Sequence, residues 1–163
     1  MEHSSIFLAG QELRKEGLQL ADTTVKQATG SKEMELVYSI RTKVFIEEQQ
    51  VPKDLEMDEW EEKSVHFLAW LEDVPVGTCR LRFLDHDTGK AERVAVLKEY
   101  RKTGAGTKLM QALETFARQK GAKKILLYAQ VSALPFYEKL GYTAFGTPFE
   151  DAGILHMRME KNL

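Results

Sequence analysis

The stretch Arg101-Lys102-Thr103-Gly104-Ala105-Gly106-Thr107 sets two basic residues and two glycines directly before a helical pattern. A helix that starts near Gly104 leaves its first backbone N–H groups without intrahelical partners. Its dipole makes that end partly positive. Glycines there let an anion approach the backbone, and Arg101 and Lys102 add charge. A phosphate or diphosphate fits such a hollow. The plain alternative is a tight strand-to-helix turn with solvated basic residues. Two familiar phosphate loops do not match. A Walker loop needs Gly, four residues and then Gly-Lys-Ser/Thr, but Arg101 stands at its first position and Thr107 follows Gly106. A dinucleotide loop needs a glycine where Leu109 stands and an acid where Lys123 and Lys124 stand.

Three further groups have useful chemistry. Glu92 lies two and four residues before Val94 and Val96, so strand alternation predicts all three on one face. His66 and His156 each sit in a strand pattern, and histidine as a type titrates near neutrality. The everyday outcome for such a histidine is a packed, hydrogen-bonded side chain. Cys79 alternates with core residues and reads as packing.

The elements that must hold these groups follow from periodicity. Thr23 to Ala28 reads as a strand. Ser31 is placed to cap a helix carrying Met34, Leu36, Val37, Ile40, Val44 and Phe45. Residues 47–62 are acidic and irregular. His66 to Leu71 is an apolar run of strand length, and Asp73-Val74-Pro75 looks like a turn. From Val76 to Phe83, Cys79, Leu81 and Phe83 face one way and Thr78, Arg80 and Arg82 the other. Asp85 to Gly89 turns the chain into the strand Ala91 to Leu97. After the glycine loop, Leu109, Met110, Leu113, Phe116 and Ala117 form one helical stripe, with Gly121 at the C-cap. Ile125 to Ala129 is a short strand. Ser132 opens a short helix ending at Gly141, and Pro135 is tolerable in its first turn. Tyr142 to Phe145 and Ile154 to Met159 are the last strands. Residues 1–22 have only weak helical spacing (Leu13, Leu20). The order implies one mixed α/β layer structure with one β-α-β crossover around the glycine loop.

A chain of 163 residues suits one domain. A net charge of -2 lacks the basic excess of a nucleic-acid binder. One cysteine supports neither a disulfide framework nor a thiol-rich zinc site, so no metal is expected and a reducing compartment is. The run Ile6-Phe7-Leu8-Ala9 is too short for a membrane span, and Glu2 stands where a signal peptide is basic. The expectation is a soluble, cytoplasmic protein, without membrane or nucleic-acid partners.

"ERVAVLKEYRKTGAGTKLM" followed by "YAQVSALPFYEKLGY" resembles the GNAT superfamily of acetyl-CoA-dependent N-acetyltransferases. Arg101-x-x-Gly104-x-Gly106, after Val94-Ala95-Val96, is similar to its acetyl-CoA motif. Ala133 and "FYEKLGY" are similar to its second motif. Together they cover roughly residues 91–142. "IRTKVFIEEQQVP", "HFLAW" and "GILHMRM" further resemble the YjcF/ElaA-like branch, whose acceptors the match does not imply.

The resemblance implies the GNAT fold over residues 23–163: a central, mixed, mostly antiparallel sheet with two splayed parallel strands, flanked by helices. Residues 1–22 form an extension outside it. Backbone groups of Val94 to Val96 would bind the pantetheine arm in the gap, and amides from Lys102 to Thr107 would hold the diphosphate. Gln130, Ala133 and Phe136 would line the same cofactor, although Gln130 stands where many members carry Asn. A neutral primary amine, on a small molecule or a peptide, would attack the thioester directly. A strand amide near Val94 to Val96 would steady the developing oxyanion. Tyr137 resembles the family's general acid for the leaving thiolate; otherwise it packs its helix onto the sheet. For the base, Glu92 comes first and His156 second.

The segment 47–62 carries Glu47, Glu48, Asp54, Glu56, Asp58, Glu59, Glu61 and Glu62 against Lys53 and Lys63. It reads either as a solvated surface or as a field that draws a cationic amine. Two other functions stay open. One is a regulatory module that holds acyl-CoA without catalysis. The other is an acyl-homoserine-lactone synthase-like enzyme, which Arg41, Phe45, Glu56, Asp58 and Glu61 resemble in pattern, with Val51 where an aromatic is expected. Either a monomer or a homodimer is compatible with these features.

Overall fold

The computed structural model describes residues 23–163. The extension and the weak helical spacing expected within 1–22 lie outside the described residues. Among these residues, seven strands form one sheet: β1 (Thr23–Ala28), β2 (Val65–Leu71), β3 (Val74–Phe83), β4 (Thr88–Val96), β5 (Lys124–Gln130), β6 (Thr143–Asp151) and β7 (Ile154–Asn162). Their order is β1-β2-β3-β4-β5-β7-β6. Every neighbouring pair is antiparallel except β4–β5. The mixed sheet expected from the element order is therefore present.

Helices cover both faces. On one face lies α3 (Ala105–Gln119), whose stripe Leu109, Met110, Leu113 and Ala117 is fully buried. It packs on Phe67, Cys79, Leu81, Ala91, Ile125 and Leu127, with α4 (Leu134–Lys139) beside it. Burying a leucine side chain contributes about 1.5–3 kcal/mol, so this stripe anchors the crossover. Gly121, at φ 93°, ends α3 as the sequence predicts. On the other face, α1 (Ser31–Arg41) buries Val37 and Ile40 on Leu68 and Ala95. Alternation along β2 sends Phe67 to the first face and Leu68 to the second.

Three local expectations are corrected. Ser31 does not cap α1: Gly30 precedes the helix at φ 83°, and the Thr29 N–H donates to the Glu33 carboxylate at 2.7 Å. The helix also continues as a π-helical segment, Thr42–Glu48, which keeps Val44 buried. The acidic stretch then includes a short helix, α2 (Lys53–Glu56), started by Pro52. Among the described residues, no helix is long and apolar enough to cross a membrane.

Candidate active site

The site begins where β4 and β5 part. Parallel pairing runs only from Thr88↔Lys124 to Ala91↔Leu127. Beyond it, β4 pairs with β3 and β5 pairs with β7, so their facing edges open. The cause lies in β4. Arg80 opposes Glu92 and Thr78 opposes Ala95, leaving Arg93 and Val94 opposite Cys79 alone. Arg93 adopts φ 54°, a left-handed conformation. Such a bulge bends and twists its strand, here away from β5.

The bulge overturns the predicted alternation. Ala91, Val94 and Val96 pack on the α3 side of the sheet. Ala95 packs on the α1 side, and the Glu92 carboxylate meets Arg82 and Arg80 there. Glu92 is therefore not on the face of Val94 and Val96. Nor is its carboxylate free. Burial would raise its pKa, but the hydrogen bond from Arg82 and the charges of Arg80, Lys90 and Arg82 bring it below the ordinary carboxylate range. An ion-paired carboxylate that resists protonation is a poor proton acceptor.

The glycine loop sits at the open end of the gap. Gly104 precedes α3 at φ 90°, a conformation that costs glycine nothing. The Lys108 N–H is bonded back to the Gly104 carbonyl, at 3.1 Å, so the amides of Ala105, Gly106 and Thr107 lie ahead of the intrahelical ladder. A Cβ on Gly106 would lie 3.1 Å from the Phe136 ring and 3.8 Å from Val96. The end of β4, the start of α3 and α4 thus meet around one backbone surface. The Thr103 hydroxyl donates to the Tyr100 carbonyl at 2.6 Å and closes the loop. Lys102 is exposed, with φ 65°. Arg101 departs from expectation. Its guanidinium grips the Glu48 carboxylate through two 2.7 Å bonds and donates to the Val96 carbonyl at 3.0 Å. Its charge clamps the π-helical segment to β4 instead of standing free in the hollow.

Tyr137, on α4, is 8 % exposed. Its ring meets Phe136 and Tyr142 edge-on, at 4.9 and 5.9 Å. Burial raises its pKa, so the phenol stays protonated across the neutral range. Burial likewise raises the Cys79 thiol, which is inert packing as expected. Ala133 ends the short 3-10 turn before α4 and packs on the α3-side core. Gln130, the last residue of β5, exchanges two amide hydrogen bonds with Gln49, at 2.8 and 3.4 Å. This pair joins the end of β5 to the loop after the π-helical segment. His156 lies opposite Gln130 on β7. Its Nδ1–H donates to the Ile154 carbonyl at 2.7 Å, which leaves Nε2 as the lone-pair nitrogen. His66 instead is buried, with Nε2 against the Glu61 carbonyl at 2.8 Å, and burial lowers its pKa.

The acidic segment divides: Glu47, Asp54, Glu59 and Glu62 are exposed, whereas Glu56, Asp58 and Glu61 are ion-paired. Arg41 binds Glu56 at 2.6 Å and Glu61 through two 2.7 Å bonds. Arg80 binds Asp58, Glu61 and Glu92 within 3.2 Å. Arg93, turned out by the bulge, donates to the Glu56 carbonyl and to Asp58. Three of the carboxylates expected to draw a cationic amine, Glu56, Asp58 and Glu61, are thus held by three arginines, from α1, β3 and β4.

Beside Gln130 and His156, which the sequence analysis named, stands an arginine with aromatic rings that it did not. Cross-strand pairs place Gln130, His156 and Phe149 in one row and Tyr128, Arg158 and Phe145 in the next. The Arg158 guanidinium lies 4.5 Å from the Phe149 ring centre and 5.6 Å from that of Tyr128. Lys90 Nζ lies 3.9 Å from the Tyr128 ring centre. The signal was present: His156 and Arg158 are two apart on a strand and so share a face.

Known proteins resemble this chain in sequence and in fold. A family model described as an acetyltransferase (GNAT) domain matches residues 12–163. YjcF of Bacillus subtilis, named an uncharacterized N-acetyltransferase, is 40 % identical over 136 residues, covering 83 % of this chain and 96 % of that protein. Escherichia coli ElaA superimposes with a TM-score of 0.73 at 24 % identity, over 85 % of this chain and 99 % of ElaA. A GNAT acetyltransferase from Elizabethkingia anophelis, solved with acetyl-CoA bound, superimposes with a TM-score of 0.66 at 16 % identity, over 87 % and 99 % of the two chains.

Proposed function

Because the chain belongs to the GNAT acetyltransferase family, we propose that it moves the acetyl group of acetyl-CoA to a primary amine by direct attack. The observation that carries this reading is the parting of β4 from β5 beside the first turn of α3. It supplies free strand edge for an amide-rich arm and free helix amides for a diphosphate. The residues fit that cosubstrate. Backbone groups of Val94, Ala95 and Val96 hydrogen-bond the pantetheine arm. Amides of Lys102, Thr103, Gly104, Ala105, Gly106 and Thr107 hold the diphosphate, with Lys102 adding charge. Arg101 acts through the clamp on Glu48 and Val96 that sets the loop. Phe136 and Ala133 line the arm, and the Gln49–Gln130 pair borders it.

Acetyl-CoA supplies a thioester; the chain supplies position and proton handling. A β4 amide at the bulge steadies the carbonyl oxygen as charge grows on it. The Tyr137 hydroxyl donates to the departing sulfur. His156 Nε2 takes the proton from the amine, because its Nδ1 is fixed as a donor and Glu92 is ion-paired. The acceptor is a small-molecule or peptide amine.

Thr107→Glu tests the diphosphate site. A carboxylate in the first turn of α3 suits the helix dipole, so thermal stability should hold or rise slightly. The same charge opposes a diphosphate. CoA affinity by calorimetry should fall about 10- to 100-fold, equivalent to about 1.4–2.7 kcal/mol. Unchanged affinity would remove the loop from the cofactor site. Acetyl-CoA turnover with a panel of amines separates an enzyme from a module that only binds acyl-CoA. His156→Gln should lower kcat/KM at least 10-fold without changing CoA affinity, and a full-rate variant would move the base elsewhere.

A further inference from the structure

On the α1 side, the contacts of α1 with the sheet concentrate on β1 to β4, away from the half formed by β5, β7 and β6. His156 and Arg158 stand there two residues apart on β7 and both meet the Phe149 ring. Arg158 is half-buried on two aromatic rings and has no carboxylate partner among the described residues. Among the described residues, the other arginines on this face are paired: Arg41, Arg80, Arg82 and Arg93 each meet Glu or Asp. Lys90, which shares the Tyr128 ring, is tied to Glu92 at 3.5 Å. The Tyr128 and Phe149 rings meet edge-on at 5.2 Å and form a floor that restricts the guanidinium. A guanidinium resting against rings, with no carboxylate on it, keeps its N–H fork for an oxyanion and is poorly suited to a second cation.

We propose that Arg158 sets the acceptor class: a primary amine that carries an oxyanion, carboxylate or phosphate, on a short spacer. Arg158 binds the oxyanion with its N–H fork, and the amine then sits beside His156 Nε2. Residues two apart on a strand are about 6.6–6.8 Å apart, which sets a spacer of a few bonds. Arg158 positions the acceptor and takes no part in the acetyl transfer. This inference rests on the acetyltransferase reading above.

The test uses the full chain and four probe sets at fixed acetyl-CoA. They are ω-amino carboxylates of two to five methylenes, the matching aminoalkyl phosphonates, n-alkylamines and α,ω-diamines. The expected result is kcat/KM at least 10-fold higher for one or both oxyanion sets than for the neutral and dicationic sets. The better of the two sets identifies the anion. Arg158→Gln should raise KM for the preferred acceptor about 10- to 100-fold and leave kcat, acetyl-CoA KM and n-alkylamine kinetics within 2-fold. Arg158→Lys should recover part of the loss. Diamines preferred over the oxyanion sets, or an oxyanion preference unmoved by Arg158→Gln, would overturn the inference while leaving the acetyltransferase reading intact. No turnover with any amine, together with no acetyl-CoA binding, would instead remove the reading beneath it.

Discussion

Tyr137→Phe is expected to lower kcat by about 10²-fold or more, with CoA affinity unchanged, as befits a lost proton donor. The variant keeps the ring and its edge-on contacts with Phe136 and Tyr142. The hydroxyl has no hydrogen-bond partner among the described residues, so its removal leaves no buried group unpaired. Thermal stability should therefore stay within about 1 kcal/mol of the parent. A rate loss would then report chemistry and not folding. Because burial raises the Tyr137 pKa, the phenol itself imposes no loss of activity between about pH 6 and 9, on the ordinary tyrosine value near 10. Rapid-quench measurement of acetyl transfer, beside calorimetric CoA binding, gives both numbers. A variant with full turnover would reduce Tyr137 to packing.

Much of this architecture was legible because it is written in local spacing. The α3 stripe from Leu109 to Ala117, the alternation of Cys79 and Leu81 against Arg80 and Arg82, and the glycine loop each declare themselves within ten residues. The element order from β1 to β7 follows directly. The bulge was not legible. Arg93 is neither Gly nor Asn, and nothing around it announces φ 54°. One inserted residue sufficed to turn Glu92 away from Val94, and with it went the preferred base. Glu56, Asp58 and Glu61 escaped the reading for a different reason. Their partners lie far along the chain: Arg41 is 15 residues before Glu56, and Arg80 is 22 after Asp58. A run of carboxylates looks solvated until the fold brings its arginines to it. The Arg158 platform lies between these cases. The face-sharing of His156 and Arg158 is readable from β7, but the rings under the guanidinium come from β5 and β6.

The buried ion network predicts the largest stability effect. Arg80 is fully buried. It lies 2.8 Å from Asp58, 2.9 Å from Glu61 and 3.2 Å from Glu92. Arg80→Met keeps the apolar stem and removes the charge, leaving three carboxylates without their common partner. Breaking one side of such a network costs about 3–5 kcal/mol, a large share of the roughly 5–15 kcal/mol that holds a domain folded. At about 2–4 °C per kcal/mol for a chain of this size, the melting temperature should drop by roughly 6–20 °C. The acid side carries a second signature. Burial pushes the Asp58 carboxyl up, but the Arg80 hydrogen bond and charge outweigh it and bring the pKa from 3.8 to about 2. Glu61 and Glu92 are likewise lowered, against burial, by Arg41 and by Arg82 with Arg80. Groups depressed in the folded state add stability above their unfolded pKa and lose it as pH falls through the folded value. The wild type should thus hold its melting temperature from neutral pH to about 4.5 and lose it toward pH 2, given unfolded carboxylates near 4. In Arg80→Met the three carboxyls lose much of that depression, so the variant starts from a lower melting temperature but loses less of it on acidification, and its deficit against the wild type should narrow as pH drops. Circular-dichroism melts of both proteins from pH 7 to pH 2.5 resolve the two effects. Equal melting temperatures with superimposable pH dependence would mean that the arginine adds nothing net to its carboxylates, and that the network serves only to orient the bulge at Arg93.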